Sequence, residues 1–175
     1  TAMNHHLNRS VGYTLLLQFL YRIASARDRV ERPFFGAGTI VTPMDADMEF
    51  TNVVRARRSV RAYRKKPVEP AKLEAVLAAA NAAPSAGNLQ GYAIVVVRDA
   101  RAKARLAEAS LGQAFVAEAP VALVFCADAR RSGAKYGERG ETLYAVQDAT
   151  IAAAYAQLAA TDAGLSTVWV GAFDD

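Results

Sequence analysis

Two uncharged apolar runs constrain the fold of this chain more than any other feature of the sequence. Residues 92–97 read YAIVVV and residues 121–127 read VALVFCA, and a turn-forming residue precedes each run. Runs of this length that are rich in β-branched and aromatic side chains are typical of strands buried in a sheet. Because helix-like stretches alternate with these strands, the pattern predicts an α+β or α/β domain.

Apolar spacing predicts helices on both sides of the first strand. A short helix is expected over residues 49–57, running into a cluster of basic side chains. A second helix is expected to begin near Pro70, because proline fits the first turn of a helix, and to end before Pro84. A charged surface helix is expected over residues 101–110.

The second strand is followed by the longest helical pattern in the chain. Residues 132–140 are predicted to be a polar loop, and an alanine-rich helix is expected over residues 141–163 with Gly164 as its stop. The small side chains of that helix allow another backbone to approach closely, which predicts a self-association surface. Residues 167–170 are predicted to form a third strand.

The N-terminal part differs in character, and we divide the chain into an extension (residues 1–47) and a domain (residues 48–175). Apolar side chains at helical spacing predict an amphipathic helix over residues 11–26, followed by an irregular connector. Gln18 and Arg22 interrupt the apolar run, which argues against a secretory signal. No stretch reaches the ~18 apolar residues that a membrane span requires, so we expect a cytoplasmic protein without membrane contact.

The positive charge of the chain is concentrated in one stretch. The formal net charge is +4, yet residues 48–75 alone hold eight basic and three acidic side chains. A local cluster of this kind favours a bound anion such as a phosphate over nucleic acid, which would require a broader basic surface with interleaved aromatic residues.

Three short polar motifs are candidates for a binding site. The first, RRSVRAY at residues 57–63, places guanidinium groups and a hydroxyl close together, as a phosphate site requires. The second, APSAGNLQ at residues 83–90, supplies short polar side chains just before a buried strand. The third, WVGAF at residues 169–173, leaves backbone N–H groups open to a flat ligand. Taken singly, these motifs are equally typical of a solvated basic surface, an ordinary turn and a strand end.

Several common chemistries lack their residues. The two His residues, His5 and His6, lie at the N-terminus, and Cys126 is the single Cys, so neither a zinc site, a disulfide nor a His-dependent triad is expected. Cys126 is interpreted as a small core side chain. Asp148 and Gln147 are candidates for buried polar contacts, and Tyr136 for a pocket lining or simple surface. No catalytic side chain and no metal ligand is predicted.

Together the three motifs resemble the nitroreductase family of FMN-dependent oxidoreductases. The matching segments are RRSVRAY at residues 57–63, APSAGNLQ at residues 83–90 and GLSTVWVGAFD at residues 164–174, and the resemblance covers residues 48–175. It implies an α+β fold with a mixed central sheet flanked by helices. It also implies a homodimer with FMN at the subunit interface.

The resemblance assigns a role to each motif residue. It implies that Arg57, Arg58, Ser59 and Arg61 hold the FMN phosphate, ribityl chain and pyrimidine edge, with Arg57 on the phosphate and Arg61 on the N1/O2 side. Further contacts are implied for Pro84, Ser85 and Asn88 of the partner subunit against the isoalloxazine ring, for Gly171 and Ala172 near N5, and for Gln113 at the ribityl chain.

The implied activity is ping-pong hydride transfer from NAD(P)H, through flavin N5, to nitroaromatic, quinone or flavin-like acceptors. The alternatives are a specialised enzyme of the same fold, either a reductive dehalogenase or a flavin-fragmenting cobamide-ligand synthase, and a non-enzymatic dimerising scaffold. Two features depart from the family pattern. Family members usually continue beyond the GAFD segment, which predicts a missing C-terminal part here, and Gly91-Tyr92 stands where many members have Pro-Trp.

Overall fold

The computed structural model describes residues 15–17 and 49–173, with side chains placed in the second range. Its strands are β1 (Leu15–Leu17), β2 (Tyr92–Val97) and β3 (Ala122–Ala127). Its α-helices are α1 (Phe50–Ala56), α2 (Pro70–Asn81), α3 (Ala100–Ala109), α4 (Phe115–Glu118), α5 (Ala129–Arg139) and α6 (Ala145–Asp162). A π-helical turn, Gly140–Tyr144, joins α5 to α6, and a 3₁₀ turn, Ala86–Asn88, follows α2.

The two apolar runs form the centre of a mixed sheet with the strand order β1-β3-β2. Strand β2 pairs antiparallel with β3, from Tyr92 opposite Ala127 to Val97 opposite Ala122. Strand β1 pairs parallel with β3, with Leu15 opposite Ala122. Every residue of β3 is buried, as a strand with neighbours on both edges and cover on both faces requires.

The alternation of β3 side chains divides the interior into two layers. Leu123 and Phe125 pack with α2 and the alanines of α6 in the first core cluster. Ala122 and Val124 point the other way and pack with Val168 and other side chains of α4 and the C-terminal segment, which we define as residues 165–173. The period of two along the strand therefore decides which segments lie on which side of the sheet.

The alanine-rich face of α6 lies inside this chain's own core. Ala149, Ala152, Ala153 and Ala156 have no exposed surface and contact α2 and β3. The prediction of a self-association surface on that face is therefore wrong, because the close approach that alanine allows is used for packing within the chain. Gly164, with φ of +71°, ends the region in the left-handed conformation that was expected of it.

Residues 132–140, predicted to be a loop, are mostly helical instead. The Asp128 carboxylate accepts the N–H of Arg131 at 3.0 Å and caps the first turn of α5. The glycines serve close packing here: a Cβ on Gly140 would lie 2.3 Å from the Ser132 carbonyl oxygen, and one on Gly133 would lie 2.4 Å from Glu141 Cγ. The polar, glycine-containing composition thus allows α5 to pack against the π-turn rather than forming a loop.

Two further predictions differ from the structure. The helix predicted over residues 11–26 is wrong at Leu15–Leu17, which form β1 because the free edge of β3 supplies hydrogen-bond partners to the backbone; its other residues lie outside the described ranges. Residues 167–170 form an extended segment with one bridge, between Thr167 and Ser59, instead of a third strand. Within the described residues, no helix has the length and apolar character needed to cross a membrane.

Candidate functional site

The basic segment, defined as residues 57–63, is fixed to the C-terminal segment by backbone hydrogen bonding. The N–H of Val60 donates to the carbonyl oxygen of Thr167 at 3.0 Å, and Ser59 pairs with Thr167 in a parallel bridge. The hydroxyl of Tyr63 donates back to the Val60 carbonyl oxygen at 2.5 Å, and its ring packs on the second core cluster. The first and third sequence motifs therefore lie side by side.

A second set of contacts draws Arg61, Gln113 and Ala172 into the same region. The Arg61 guanidinium lies 5.9 Å from the centre of the Phe115 ring, in a cation–π arrangement. Two residues before Phe115, the Gln113 amide Nε2 donates to the Ala172 carbonyl oxygen at 3.2 Å and to the Ser110 carbonyl oxygen at 2.9 Å. The turn before α4 therefore links the basic segment to the end of the C-terminal segment.

Arg57 and Arg58 follow directly after α1. The guanidinium of Arg58 donates to the carbonyl oxygens of Arg55 and Arg57, so part of its hydrogen-bonding capacity stabilises the helix end. No carboxylate within residues 49–173 forms an ion pair with Arg57, Arg58 or Arg61. The basic segment thus holds three positive charges that the described protein does not neutralise.

Gly171 and Ala172 are exposed, and they follow Thr167, the residue of the C-terminal segment that pairs with the basic segment. The indole of Trp169 lies against Gly171, since a Cβ there would be 3.4 Å from Trp169 Nε1. Trp169 itself is 37% exposed, which is unusual for a side chain with so much apolar surface. Its place within the WVGAF motif was visible in the sequence, whereas the approach of its ring to Gly171 was not.

The polar loop, defined as residues 83–90, has an unusual backbone path. Gly87, Asn88 and Gln90 all have positive φ angles, of 57°, 56° and 45°. The Ser85 hydroxyl oxygen accepts the Gln90 N–H at 2.9 Å, and the Asn88 side-chain oxygen accepts from Gln90 Nε2 at 2.8 Å. These bonds compensate the local strain and close the loop on itself, with Pro84 exposed beside them.

The structure brings some of the predicted site residues together and leaves others apart. Arg57, Arg58, Ser59, Arg61, Gln113, Gly171 and Ala172 lie on segments that are joined on one side of the sheet. Pro84, Ser85 and Asn88 lie on the polar loop, whose first residue, Ala83, belongs to the α6 side of the core. No hydrogen bond, ion pair or ring contact of these residues joins the two groups within residues 49–173.

Two charged side chains that were not assigned to the site hold the polar loop in place. The buried Asp148 carboxylate accepts the N–H of Ala86 at 2.9 Å and that of Gly91 at 3.2 Å, which confirms the buried polar contact predicted for it. The same prediction is wrong for Gln147, which is exposed. The Arg131 guanidinium donates to the carbonyl oxygens of Gln90 and, at 3.3 Å, Tyr92. Sequence patterns could not locate these contacts, because they join residues about 40 to 60 positions apart.

Burial keeps three titratable side chains of this region neutral. Desolvation raises the pKa of Tyr63 despite the opposing effect of Arg61. Desolvation and the nearby Asp148 carboxylate raise the pKa of Tyr92, while Arg131 acts in the opposite direction. Burial also raises the pKa of the Cys126 thiol, which agrees with its interpretation as a core side chain rather than a nucleophile.

Family comparison defines the class to which this fold and these motifs belong. The model of the Nitroreductase family matches residues 54–118 and 111–175. A putative NADH dehydrogenase/NAD(P)H nitroreductase of Archaeoglobus fulgidus is 34% identical over 125 residues, which cover 71% of this chain and 68% of the relative. The chain belongs to the nitroreductase family.

Other relatives and solved structures agree with this assignment. An FMN reductase [NAD(P)H] of Bacillus subtilis is 33% identical over 126 residues, covering 66% of this chain and 51% of that protein. The crystal structure of nitroreductase A from Vibrio parahaemolyticus matches with a TM-score of 0.64 and 31% identity, over 70% of this chain and 55% of that one. The chain thus spans about half the length of several relatives. The predicted α+β fold, with a mixed sheet flanked by helices, is confirmed.

Proposed function

We propose that this protein is a cytoplasmic, homodimeric oxidoreductase that uses FMN and NAD(P)H to reduce nitroaromatic, quinone or flavin-like acceptors. Its family membership supports the reaction class, as do the names of relatives such as the NADPH-flavin oxidoreductase of Vibrio harveyi, 33% identical over 125 residues. The observation that carries the proposal is that three guanidinium groups without a carboxylate partner among residues 49–173 lie on a segment that pairs, through Ser59 and Thr167, with the segment that holds the exposed Gly171 and Ala172.

The donor set of the basic segment fits the phosphate end of FMN. The Arg57 guanidinium has no hydrogen-bond or ion-pair partner among the described residues, so all of its N–H donors are available to phosphate oxygens. The exposed Ser59 hydroxyl adds an uncharged donor two residues away, and Arg58 retains a charge beside it. A dianion bound there would offset two of the three positive charges, and bidentate guanidinium bonds would orient it.

The remaining residues suit the ring end of the same cofactor. Bound FMN would accept a hydride from NAD(P)H and pass it to the acceptor, so the protein needs only to bind, orient and polarise it. Arg61, held near Phe115, would stabilise negative charge on the pyrimidine side. The Gly171 N–H would donate toward N5, and Gln113, anchored to Ala172, would contact the ribityl chain. No side chain is required as a general acid or base.

A homodimer would supply the other group of residues. The polar loop carries Pro84, Ser85 and Asn88 away from the basic segment of its own chain, so these residues would complete the site of the partner subunit. Phe50 and Val54 on α1 are 69% and 48% exposed, which gives the chain unpartnered apolar surface of the kind that an interface covers.

Flavin binding by the purified full-length chain tests the proposal. Titration of the apoprotein with FMN is expected to quench flavin fluorescence and yield a yellow complex that bleaches with NADH or NADPH. The Arg57→Ala variant should bind FMN at least tenfold more weakly, since a charge-assisted contact to phosphate is lost. Arg101→Ala, which removes an exposed guanidinium from α3, is the matched control and should bind normally.

Three results would contradict the proposal or a part of it. A wild-type chain that binds no FMN would favour the non-enzymatic dimerising scaffold instead. A complex that binds FMN but is not reduced by either nicotinamide cofactor would favour a specialised enzyme of the same fold. Sedimentation of the wild-type chain as a monomer at micromolar concentration, with FMN bound, would contradict the assignment of the polar loop to the partner subunit.

A further inference from the structure

Asp148 occupies a position that the proposed chemistry does not use. It lies in the first turn of α6 and is only 2% exposed, and its carboxylate bonds to the polar loop at Ala86 and to the next residue, Gly91. No Lys or Arg within the described residues forms an ion pair with it. A buried carboxylate without a cationic partner is stabilised only where N–H donors are fixed in place around it.

The two donors that Asp148 receives mark the two ends of the strained part of the loop. Oδ1 accepts the Ala86 N–H at 2.9 Å, and Oδ2 accepts the Gly91 N–H at 3.2 Å. Between these amides lie all three residues of the loop that have positive φ. The two oxygens of one rigid side chain therefore fix the separation of Ala86 and Gly91, and with it the path of the backbone between them.

Gly91 lies so close to the Asp148 carboxylate that there is no space for a side chain. A Cβ at Gly91 would lie 2.9 Å from Asp148 Oδ2 and 2.2 Å from Ser132 Oγ, so a side chain here would push α6 or α5 away from the loop. Glycine thus permits the short approach that the second hydrogen bond needs. The family pattern predicts proline at this position. Proline has no N–H to donate, so it could not make the hydrogen bond that Gly91 makes to Asp148.

We propose that Asp148 is a positioning residue that sets the conformation of the polar loop and so the placement of Ser85 and Asn88. Ser85 and Asn88 are both tied to Gln90, which lies directly before Gly91, so a shift at Gly91 would move both side chains. The consequence for ligand binding rests on the proposed function, in which Ser85 and Asn88 contact the flavin bound to the partner subunit. Asp148 itself touches no ligand in this proposal.

Replacement of Asp148 by asparagine tests whether the loop needs both acceptor oxygens. Asp148→Asn keeps the size of the side chain but leaves one acceptor and one NH₂ group for two N–H donors, so one loop amide loses its partner. Backbone amide exchange at Ala86 or Gly91 should become at least tenfold faster in the apoprotein. FMN should bind on the order of tenfold more weakly, with a shifted visible spectrum of the bound flavin. A role confined to overall stability would lower the melting temperature without changing the affinity or spectrum of the folded protein.

Ser132→Ala is the matched control. Ser132 Oγ would lie 2.2 Å from a Cβ on Gly91, closer than Asp148 Oδ2 at 2.9 Å, but it has no hydrogen-bond partner among the described residues, so its removal should leave loop exchange and FMN affinity unchanged. Equal effects of the two variants, or unchanged exchange in Asp148→Asn, would overturn the proposal. So would unchanged FMN affinity in an Asp148→Asn protein whose loop exchanges faster.

The wild-type chain provides an independent measurement. Ala86 and Gly91 belong to no strand, and their N–H groups bond only to Asp148 in the structure, yet both amides should be protected from exchange. Exchange of both amides at the rate of an unstructured peptide would overturn the proposal even if Asp148→Asn does not fold. This apoprotein measurement does not depend on FMN, so a failure of the proposed function would be visible separately as a wild-type chain that binds no flavin.

Discussion

The basic segment and the polar loop are built in different ways. The basic segment is exposed, carries charges that no described carboxylate neutralises, and is fixed mainly through the backbone bond between Val60 and Thr167. The polar loop carries no charge of its own and is held from within by the buried Asp148. The comparison indicates that one region is organised to receive charge from a ligand, whereas the other is preorganised before any ligand arrives.

Gly91→Ala should break the preorganised region most severely. The added methyl would meet Ser132 Oγ and Asp148 Oδ2 at distances of 2.2 and 2.9 Å, which real Cβ contacts do not show. We expect the free energy of unfolding to fall by about 3 kcal/mol, because overpacking combines with the loss of a buried charge-assisted bond. Urea denaturation measures this change.

A second substitution tests the cause of that effect. Gly91→Ala combined with Ser132→Ala removes the nearer of the two clashing atoms and should recover part of the lost stability. Equal stability of the single and double variants would show that the contact with Ser132 is not what requires glycine.

Arg61→Ala should separate binding from stability in the basic segment. The loss of its charge and of the contact with Phe115 is expected to weaken FMN binding about tenfold. The melting temperature should change by no more than a few degrees, because Arg61 is exposed. Fluorescence titration and thermal denaturation give the two values; a large fall in melting temperature with unchanged affinity would reverse the roles given to the two regions.

Gln113→Ala should have a smaller effect on the link between α4 and the C-terminal segment. It removes the bond from Nε2 to the Ala172 carbonyl oxygen, which solvent can partly replace. We expect a loss of stability of about 1 kcal/mol and a severalfold weaker FMN affinity. Gln147→Ala, an exposed glutamine on α6, is the control for loss of a glutamine side chain and should change neither value.

Ser132→Ala should have the smallest effect on the free energy of unfolding. The sign of the change shows whether the Ser132 hydroxyl is unsatisfied. The buried Oγ has no hydrogen-bond partner among residues 49–173, so the substitution also removes a polar group that these residues leave unsatisfied. The free energy of unfolding should stay within about 0.5 kcal/mol of the wild-type value or rise slightly. A loss of more than 1 kcal/mol would mean that this hydroxyl bonds to a group or a water that supports α5.

Much of the local structure follows from the sequence because it depends on neighbouring residues. The apolar runs at 92–97 and 121–127, the start of α2 at Pro70 and the stop at Gly164 all lie where pattern and turn chemistry placed them. The roles given to Arg57, Ser59 and the other motif residues rested on resemblance, and they stay proposals.

The failures of prediction have a common physical origin. Residues 132–140 have the composition of a loop, yet they are mostly helical because Gly133 and Gly140 allow the π-turn to pack closely. Leu15–Leu17 have helical spacing, yet they form a strand because β3 offers a free edge. In each case packing or pairing with another element outweighs the local preference.

The sequence by itself determined the two central strands, β2 and β3, most ends of the helices that it predicted, the concentration of charge and the family of this protein, since each depends on residue type and short spacing. Only the tertiary structure decided that the basic segment pairs with the C-terminal segment, that the alanine face of α6 is core, and that Asp148 holds the polar loop. Each of these features depends on contacts between residues far apart in the chain. They depend on which face of β3 each segment covers, and a pattern of nearest neighbours carries no information about that choice.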